Sequence, residues 1–216
     1  NIIGTSRLLE SILNYGKSSA HLVFASSTQV YSLVNCKTPI RETKKASPDT
    51  VYGVSKQVAE NLIRISGIPF TILRLSNVYG PGCRPNYNSV VATMCYRAAR
   101  GLPLVINGDG RQGRDFIYVD DVVRAFVLAG FESMSGAEKI FNVSAGKMVS
   151  IKQIVKQVCR LHKNTKVEFL TDKKNVEISY CCDPSKFFGK YSWRPRVSLS
   201  KGIEQALSYY RGRKIT

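Results

Sequence analysis

Three features predict an α/β protein with a doubly wound parallel sheet and a smaller mixed α/β part. The apolar runs "HLVFASS" and "PFTILRLSN" are continuous, not alternating, as in strands covered on both faces. Between them, Tyr52 to Ser66 has helical periodicity and Gly67 follows as a stop, which completes a β-α-β order. The chain of 216 residues, 44% of them apolar, is long enough to bury one sizeable core.

Each element can be justified in order. Ile2, Leu8, Leu9, Ile12, Leu13 and Tyr15 recur at amphipathic spacing, so a helix is predicted over 2–15 with Gly16 as its stop. The strand "HLVFASS" follows, then a proline-containing polar loop from Lys37 to Thr50, the helix 52–66 and the strand and turn "PFTILRLSNVYGPG". Ligands of such sheets bind beyond the carboxyl ends of strands, which is where Ser26-Ser27-Thr28 and Ser76-Asn77 fall.

Past Gly82 the pattern becomes mixed. A helix is predicted near Ser89 to Arg100, then the strand "PLVIN", the turn "GDG", the segment "RDFIYVDD", a helix that Asp120 or Asp121 could cap and the strand "FNVS". Gly80, Pro81, Gly108, Asp109 and Gly110 read as turn residues. Ser150-x-x-Gln153 has the form of a capping box, and Ile151, Ile154, Val155, Val158 and Leu161 follow it at helical spacing. A last helix from about Ser200 presents Ile203, Leu207 and Tyr210 on one face.

Thirty-two Lys and Arg against 15 Asp and Glu leave a net charge of +17, which implies an anionic ligand or partner. The bases are scattered, without a block of five like charges and without interleaved aromatic platforms, so nucleic acid is disfavoured. The six cysteines match no C-x-x-C metal spacing, and no metal ligand set is predicted. No apolar run approaches the roughly 18 residues of a membrane helix and no signal peptide opens the chain, so the expectation is a soluble cytoplasmic protein with reduced thiols.

The chemistry centres on "VYGVSK". Tyr52 and Lys56 are four apart and share a helix face. A free tyrosine titrates near 10, so service as a base near pH 7 needs a shift of about 3 units, roughly 4 kcal/mol, which a nearby ammonium and a bound nicotinium could jointly supply. A Ser or Thr hydroxyl close to the phenol could share the proton in transit.

Taken together, "NIIGTSRLLES", "HLVFASSTQVY", "YGVSKQVAENL", "LRLSNVYGPG", "INGDGRQGRDFIYVDDVVRAFVLA" and "FNVSAG" resemble, in order and spacing, the extended short-chain dehydrogenase/reductase family, and within it the NAD-dependent nucleotide-sugar epimerases and dehydratases. The resemblance covers nearly the whole chain. It implies the C-terminal part of a Rossmann-type sheet: a partial NAD-binding domain over 1–82 and a nucleotide-sugar domain over 83–216, with segments near 101–145 returning to the first. It also implies that Tyr52 is the catalytic tyrosine, Lys56 its partner and ribose ligand, and Ser27 the proton-sharing hydroxyl, with Thr28 as the alternative. Leu75 would flank the cofactor, while Asn77, Arg114 and Lys173 or Lys174 would meet the substrate. NAD is the implied cofactor, with NADP possible, and a nucleotide-diphosphate sugar is the implied substrate. Trp193 and Pro195 stand where the family has a structural "GW-x-P" and are expected in the core and at a chain reversal.

Among the activities of the resembling family, the residues favour a UDP-sugar 4-epimerase. Dehydration needs a carboxyl acid where Thr28-Gln29 stands. A 4,6-dehydratase, a UDP-glucuronate decarboxylase and a non-catalytic binding protein are the alternatives. The strands and G-x-x-G-x-x-G loop that open the family fold have no counterpart here, so the expectation is a truncated or split form that holds half a cofactor site. The strand "LVFAS" would then expose an apolar edge, and the isolated chain would be marginally stable or self-associating. The implied partners are a second copy through helices 2–15 and 52–66, or a complementary N-terminal chain.

Overall fold

The computed structural model describes residues 1–16, 20–34, 36–87, 89–131, 139–170 and 178–212. Helix α1 (Ile2–Tyr15) matches the predicted bounds. Gly16 ends it in extended backbone, and a Cβ there would press on the Ile12 carbonyl. Strand β1 (Leu22–Ser27), helix α2 (Val51–Ile65) and strand β2 (Phe70–Leu75) form the expected β-α-β unit, with β1 and β2 parallel and Ser27 opposite Leu75.

The chain then passes through β3 (Asn77–Tyr79), α3 (Val90–Ala99), β4 (Leu104–Asn107), β5 (Gly113–Tyr118) and α4 (Val119–Gly130) to β6 (Lys139–Val143). Strand β6 pairs in parallel with β2, so one sheet has the order β1-β2-β6. Both of its faces are covered: Leu9, Ile63, Phe70 and Ile72 pack on one side, and Leu73, Ala125, Phe141 and Trp193 on the other. Alternation along β2 explains this, since Ile72 and Leu73 point to opposite faces. Among the described residues the outer edge of β1 has no strand partner.

Beyond β6 come β7 (Met148–Ser150), α5 (Ile151–Leu161), β8 (Val167–Leu170), α6 (Ser185–Tyr191) and α7 (Leu199–Arg211). Strand β5 pairs with β3 and β7, and β4 with β8. A second core joins α3, α5 and α7 to these strands around Met94, Leu104, Ile154, Ile203 and Tyr210. The capping box of α5 is complete, since the Ser150 hydroxyl accepts from Gln153 N and the Gln153 side chain accepts from Ser150 N.

One expectation is corrected. Neither Asp120 nor Asp121 caps α4, whose N-cap is Tyr118 without a side-chain bond. Asp121 is instead buried and accepts from Arg124 and from the backbone N–H groups of Arg196 and Val197 at 2.9 and 3.1 Å. It clasps the chain reversal after Trp193, which is itself buried as expected. Strands β7 and β8 and helix α6 are elements that the sequence pattern does not announce.

Candidate active site

Tyr52 and Lys56 stand on the first turns of α2, whose start is set by Thr50: its hydroxyl accepts from Gly53 N at 3.0 Å. Ser27 closes β1, and its hydroxyl accepts from Gln29 N at 3.2 Å, starting a 3₁₀ turn over Thr28–Val30. Gly53 lets the helix lie on this turn, because a Cβ there would overlap the Gln29 carbonyl oxygen and come within 2.8 Å of Pro48 Cβ. The close approach puts Tyr52 and Ser27 on the wall of one cavity, where the Ser27 hydroxyl lowers the Tyr52 phenol against the rise from burial.

The Lys56 ammonium lies 5.9 Å from the Tyr52 ring centre and 5.0 Å from that of Phe24. It donates to the Ala25 carbonyl at 2.9 Å, which ties it to the strand end. Burial lowers the lysine from its ordinary range. Burial also raises the Tyr52 phenol, with the Ser27 interaction opposing that rise. The chain's own residues therefore hold the Tyr52 phenol above its ordinary range.

A cavity of about 630 Å³ opens at these strand ends. Of the residues singled out in the sequence, Ser27, Thr28, Tyr52, Leu75, Asn77 and Arg114 line it. Lys56 sits beside Tyr52 outside that lining, and Lys173 and Lys174 lie outside the described residues. Ser27 and Thr28 both line the cavity; Ser27 lowers the Tyr52 phenol and Thr28 that of Tyr180.

Tyr180 was not anticipated. It is buried, and its hydroxyl accepts from Asn77 Nδ2 at 3.2 Å. Its signal in the sequence was only a tyrosine beside two cysteines. Asn77 Nδ2 also donates to the Asp115 carbonyl at 2.9 Å. A carbonyl oxygen can only accept, so the amide orientation is fixed and both Nδ2 hydrogens are committed. Oδ1 is the polar atom of the Asn77 side chain that remains for a ligand, and it can only accept.

The Asp115 side chain, wholly buried, accepts from the N–H groups of Ala145, Gly146 and Cys182 at 2.9 to 3.3 Å, and from the Ser76 hydroxyl. It joins β5 to the β6–β7 turn and to the segment that carries Tyr180. Burial pushes its carboxyl up to about 6 against those donors.

Arg114 lies 5.6 Å from the Tyr180 ring centre and donates to the Gly113 carbonyl at 3.0 Å. Burial lowers its guanidinium from the usual range, and among the described residues no carboxylate pairs with it. Arg84, stacked 5.8 Å from Tyr87, supplies a second cation to the cavity. No Asp or Glu stands among the described lining residues, so the cavity is suited to an anionic ligand.

The family model described as the NAD dependent epimerase/dehydratase family matches residues 1–144. A protein named putative UDP-glucose 4-epimerase from Methanocaldococcus jannaschii is 30% identical over 100% of this chain and 70% of its own length. A dTDP-glucose 4,6-dehydratase from Haemophilus influenzae is 26% identical over 97% of this chain and 68% of its own length. Among solved structures, a UDP-glucose 4-epimerase from Thermotoga maritima with UDP-glucose has a TM-score of 0.85 at 32% identity, covering 98% of this chain and 69% of the other. A UDP-glucuronic acid 4-epimerase from Bacillus cereus in complex with NAD has a TM-score of 0.84 at 28% identity, with 98% and 67% covered. The chain thus spans about two thirds of the length of these relatives. On the match of sequence and fold, it belongs to the NAD dependent epimerase/dehydratase family.

Proposed function

We propose that the chain acts in the 4-epimerisation of a UDP-sugar, with NAD as cofactor. The observation that carries this reading is one cavity with Ser27 and Tyr52 at a strand end, Arg114 and Arg84 in its wall and no carboxylate among its described lining residues. With no acid among the described lining residues and Thr28-Gln29 after Ser27, epimerisation is favoured over dehydration, which needs a carboxyl donor. Relatives named as UDP-sugar 4-epimerases and as dTDP-glucose 4,6-dehydratases support a nucleotide sugar as substrate.

The strand-end wall suits a nicotinamide ribose. Lys56 and Tyr52 offer a donor pair for ribose hydroxyls, and Leu75 gives an apolar flank. NAD would supply hydride acceptance and return at the sugar carbon, and its positive ring would supply the charge that Tyr52 lacks. Tyr52 takes the proton of the sugar hydroxyl and later returns it, and Ser27 shares that proton in transit. Asn77 Oδ1 accepts from a sugar hydroxyl, since phosphate oxygens offer it no proton. Arg114 takes the diphosphate, where a guanidinium fork meets two oxygens.

The open edge of β1 supports completion of the sheet by a further strand, from a complementary chain or a second copy. Exposed Ile3, Leu13 and Tyr15 on α1, with Val51 and Ile65 on α2, support an interface between copies along those helices. Calorimetric titration with NAD, alone and with UDP-glucose present, tests the reading. Saturable heat with a micromolar to millimolar constant is expected, and absence of binding to either compound contradicts it.

A further inference from the structure

We propose that the buried Glu60–Arg74 ion pair is a positioning pair: it locks the catalytic helix to the strand ends and thereby holds Tyr52 on Ser27. The inference rests on the assignment of Tyr52 and Ser27 as the proton-transfer pair, and adds two residues that lie outside the cavity lining.

Tyr52, Lys56 and Glu60 recur every four residues, so they form one stripe along α2 facing the sheet. Glu60 is 2% exposed and Arg74, near the carboxyl end of β2, 5%. The guanidinium grips the carboxylate with two bonds, Nε to Oε1 at 3.0 Å and Nη2 to Oε2 at 2.6 Å. Oε1 also accepts from the Ser26 hydroxyl at 2.5 Å, one residue before Ser27. The third guanidinium nitrogen, Nη1, donates to the Tyr31 hydroxyl at 2.9 Å, just after the turn that begins at Thr28. Tyr31 in turn donates to Asn142 Oδ1 on β6 at 2.8 Å.

One ion pair therefore reaches the elements that carry Ser27, Tyr52 and Leu75. It touches α2 below Tyr52, β1 beside Ser27, the turn after Thr28 and β2 immediately before Leu75, Ser76 and Asn77. Stability does not account for it, since removing two charges from water costs several kcal/mol per ion and apolar replacements of such pairs are often neutral or better. Geometry does. The apolar packing of α2 is concentrated in its second half, at Leu62 and Ile63 against Leu9, Phe70 and Ile72. Its first half is held by polar contacts, Thr50 to Gln29, Lys56 to Ala25 and Gln57 to Ala46, and the Glu60 fork stands between these and the apolar end. A bidentate fork fixes both the rotation and the slide of the helix, which apolar contacts alone tolerate.

The test follows the Tyr52 phenol in the chain itself, by NMR titration of tyrosine labelled at Cζ, with Tyr52→Phe to assign the signal. The Ser27 interaction lowers the Tyr52 titration, so its loss moves the midpoint upward. Glu60→Gln, shape-preserving but unable to hold the fork, is expected to raise the midpoint. Ser26→Ala, which cuts only the link to β1, is expected to raise it by less, and serves if Glu60→Gln does not fold. An unchanged Tyr52 midpoint in folded Glu60→Gln, or in Ser26→Ala where Glu60→Gln does not fold, overturns the proposal. In a turnover assay, Glu60→Gln is expected to lower kcat by about 10- to 100-fold with KM for the nucleotide sugar within about threefold. A loss confined to thermal stability, with kcat and the midpoint intact, also overturns it. A wild type that moves no sugar, or a fully active Tyr52→Phe, would refute the enzymatic reading while leaving the titration result standing.

Discussion

Gly53→Ala reverses the usual sign of a helix substitution. In an exposed helix interior, Ala is better than Gly by about 1 kcal/mol. At Gly53 the added Cβ would stand 2.8 Å from Pro48 Cβ and 3.0 Å from the Gln29 carbonyl carbon, with the carbonyl oxygen nearer still. Relaxed carbon contacts lie near 3.5–4.0 Å, so the first turn of α2 must move by about 1 Å from the 3₁₀ turn. Overpacking of this kind costs about 1–3 kcal/mol, which outweighs the propensity gain. The net loss is about 1 kcal/mol, or roughly 2–4 °C in Tm for a chain of this size. Because Tyr52 precedes Gly53 and Ser27 begins the turn, the same shift is expected to slow turnover by about 100-fold. Gly4 is the internal control. It lies on α1 with nothing within 4 Å of an added Cβ, so Gly4→Ala is expected to raise Tm by about 2 °C and leave turnover unchanged. Differential scanning calorimetry with a UDP-glucose interconversion assay reads both. A Gly53→Ala chain as stabilised as Gly4→Ala, with full turnover, would refute the reasoning.

Two further outcomes follow from the site. Asp115 titrates with a folded-state midpoint of about 6, above the ordinary 3.8, so the folded chain binds that proton more tightly than the unfolded one. Its contribution to stability is therefore greatest below about pH 4 and is lost as pH rises to about 6; a carboxyl-carbon NMR midpoint at or below 4 would contradict this. Arg114→Ala is expected to weaken UDP-glucose binding by about 10-fold or more, with a smaller effect on NAD, and equal binding of UDP-glucose by both chains would remove Arg114 from the diphosphate site.

The parts of the fold legible in the sequence are those with local signals. The bounds of α1 and the capping box of α5 depend on neighbours within a few residues, and both appear as read. The strand ends carrying Ser27 and Asn77 were legible because a buried parallel strand is a continuous apolar run. What escaped depends on distant partners. Asp121 looks like a helix cap from its position, yet its carboxylate is claimed by Arg196 and Val197, far along the chain. The short strands β7 and β8 owe their existence to β5 and β4, not to their own pattern. Arg74 did leave a signal, a lone charge inside the apolar run "FTILRL", and Glu60 stands on the stripe of Tyr52 and Lys56. A buried charge in such a strand demands an opposite one, but only the fold shows which. Tyr180 reaches the cavity through the isolated pairing of Ile40 with Cys182, which no local pattern encodes.

The central claim is that Tyr52 moves a proton on a bound nucleotide sugar. Its most direct test is the rate of UDP-glucose to UDP-galactose interconversion at saturating NAD, for the wild type and Tyr52→Phe, each with its UDP-glucose affinity measured alongside. The account predicts that Phe at position 52 leaves affinity within about threefold and lowers the rate by about 100-fold or more. A Tyr52→Phe chain that interconverts the sugars at the wild-type rate would contradict it.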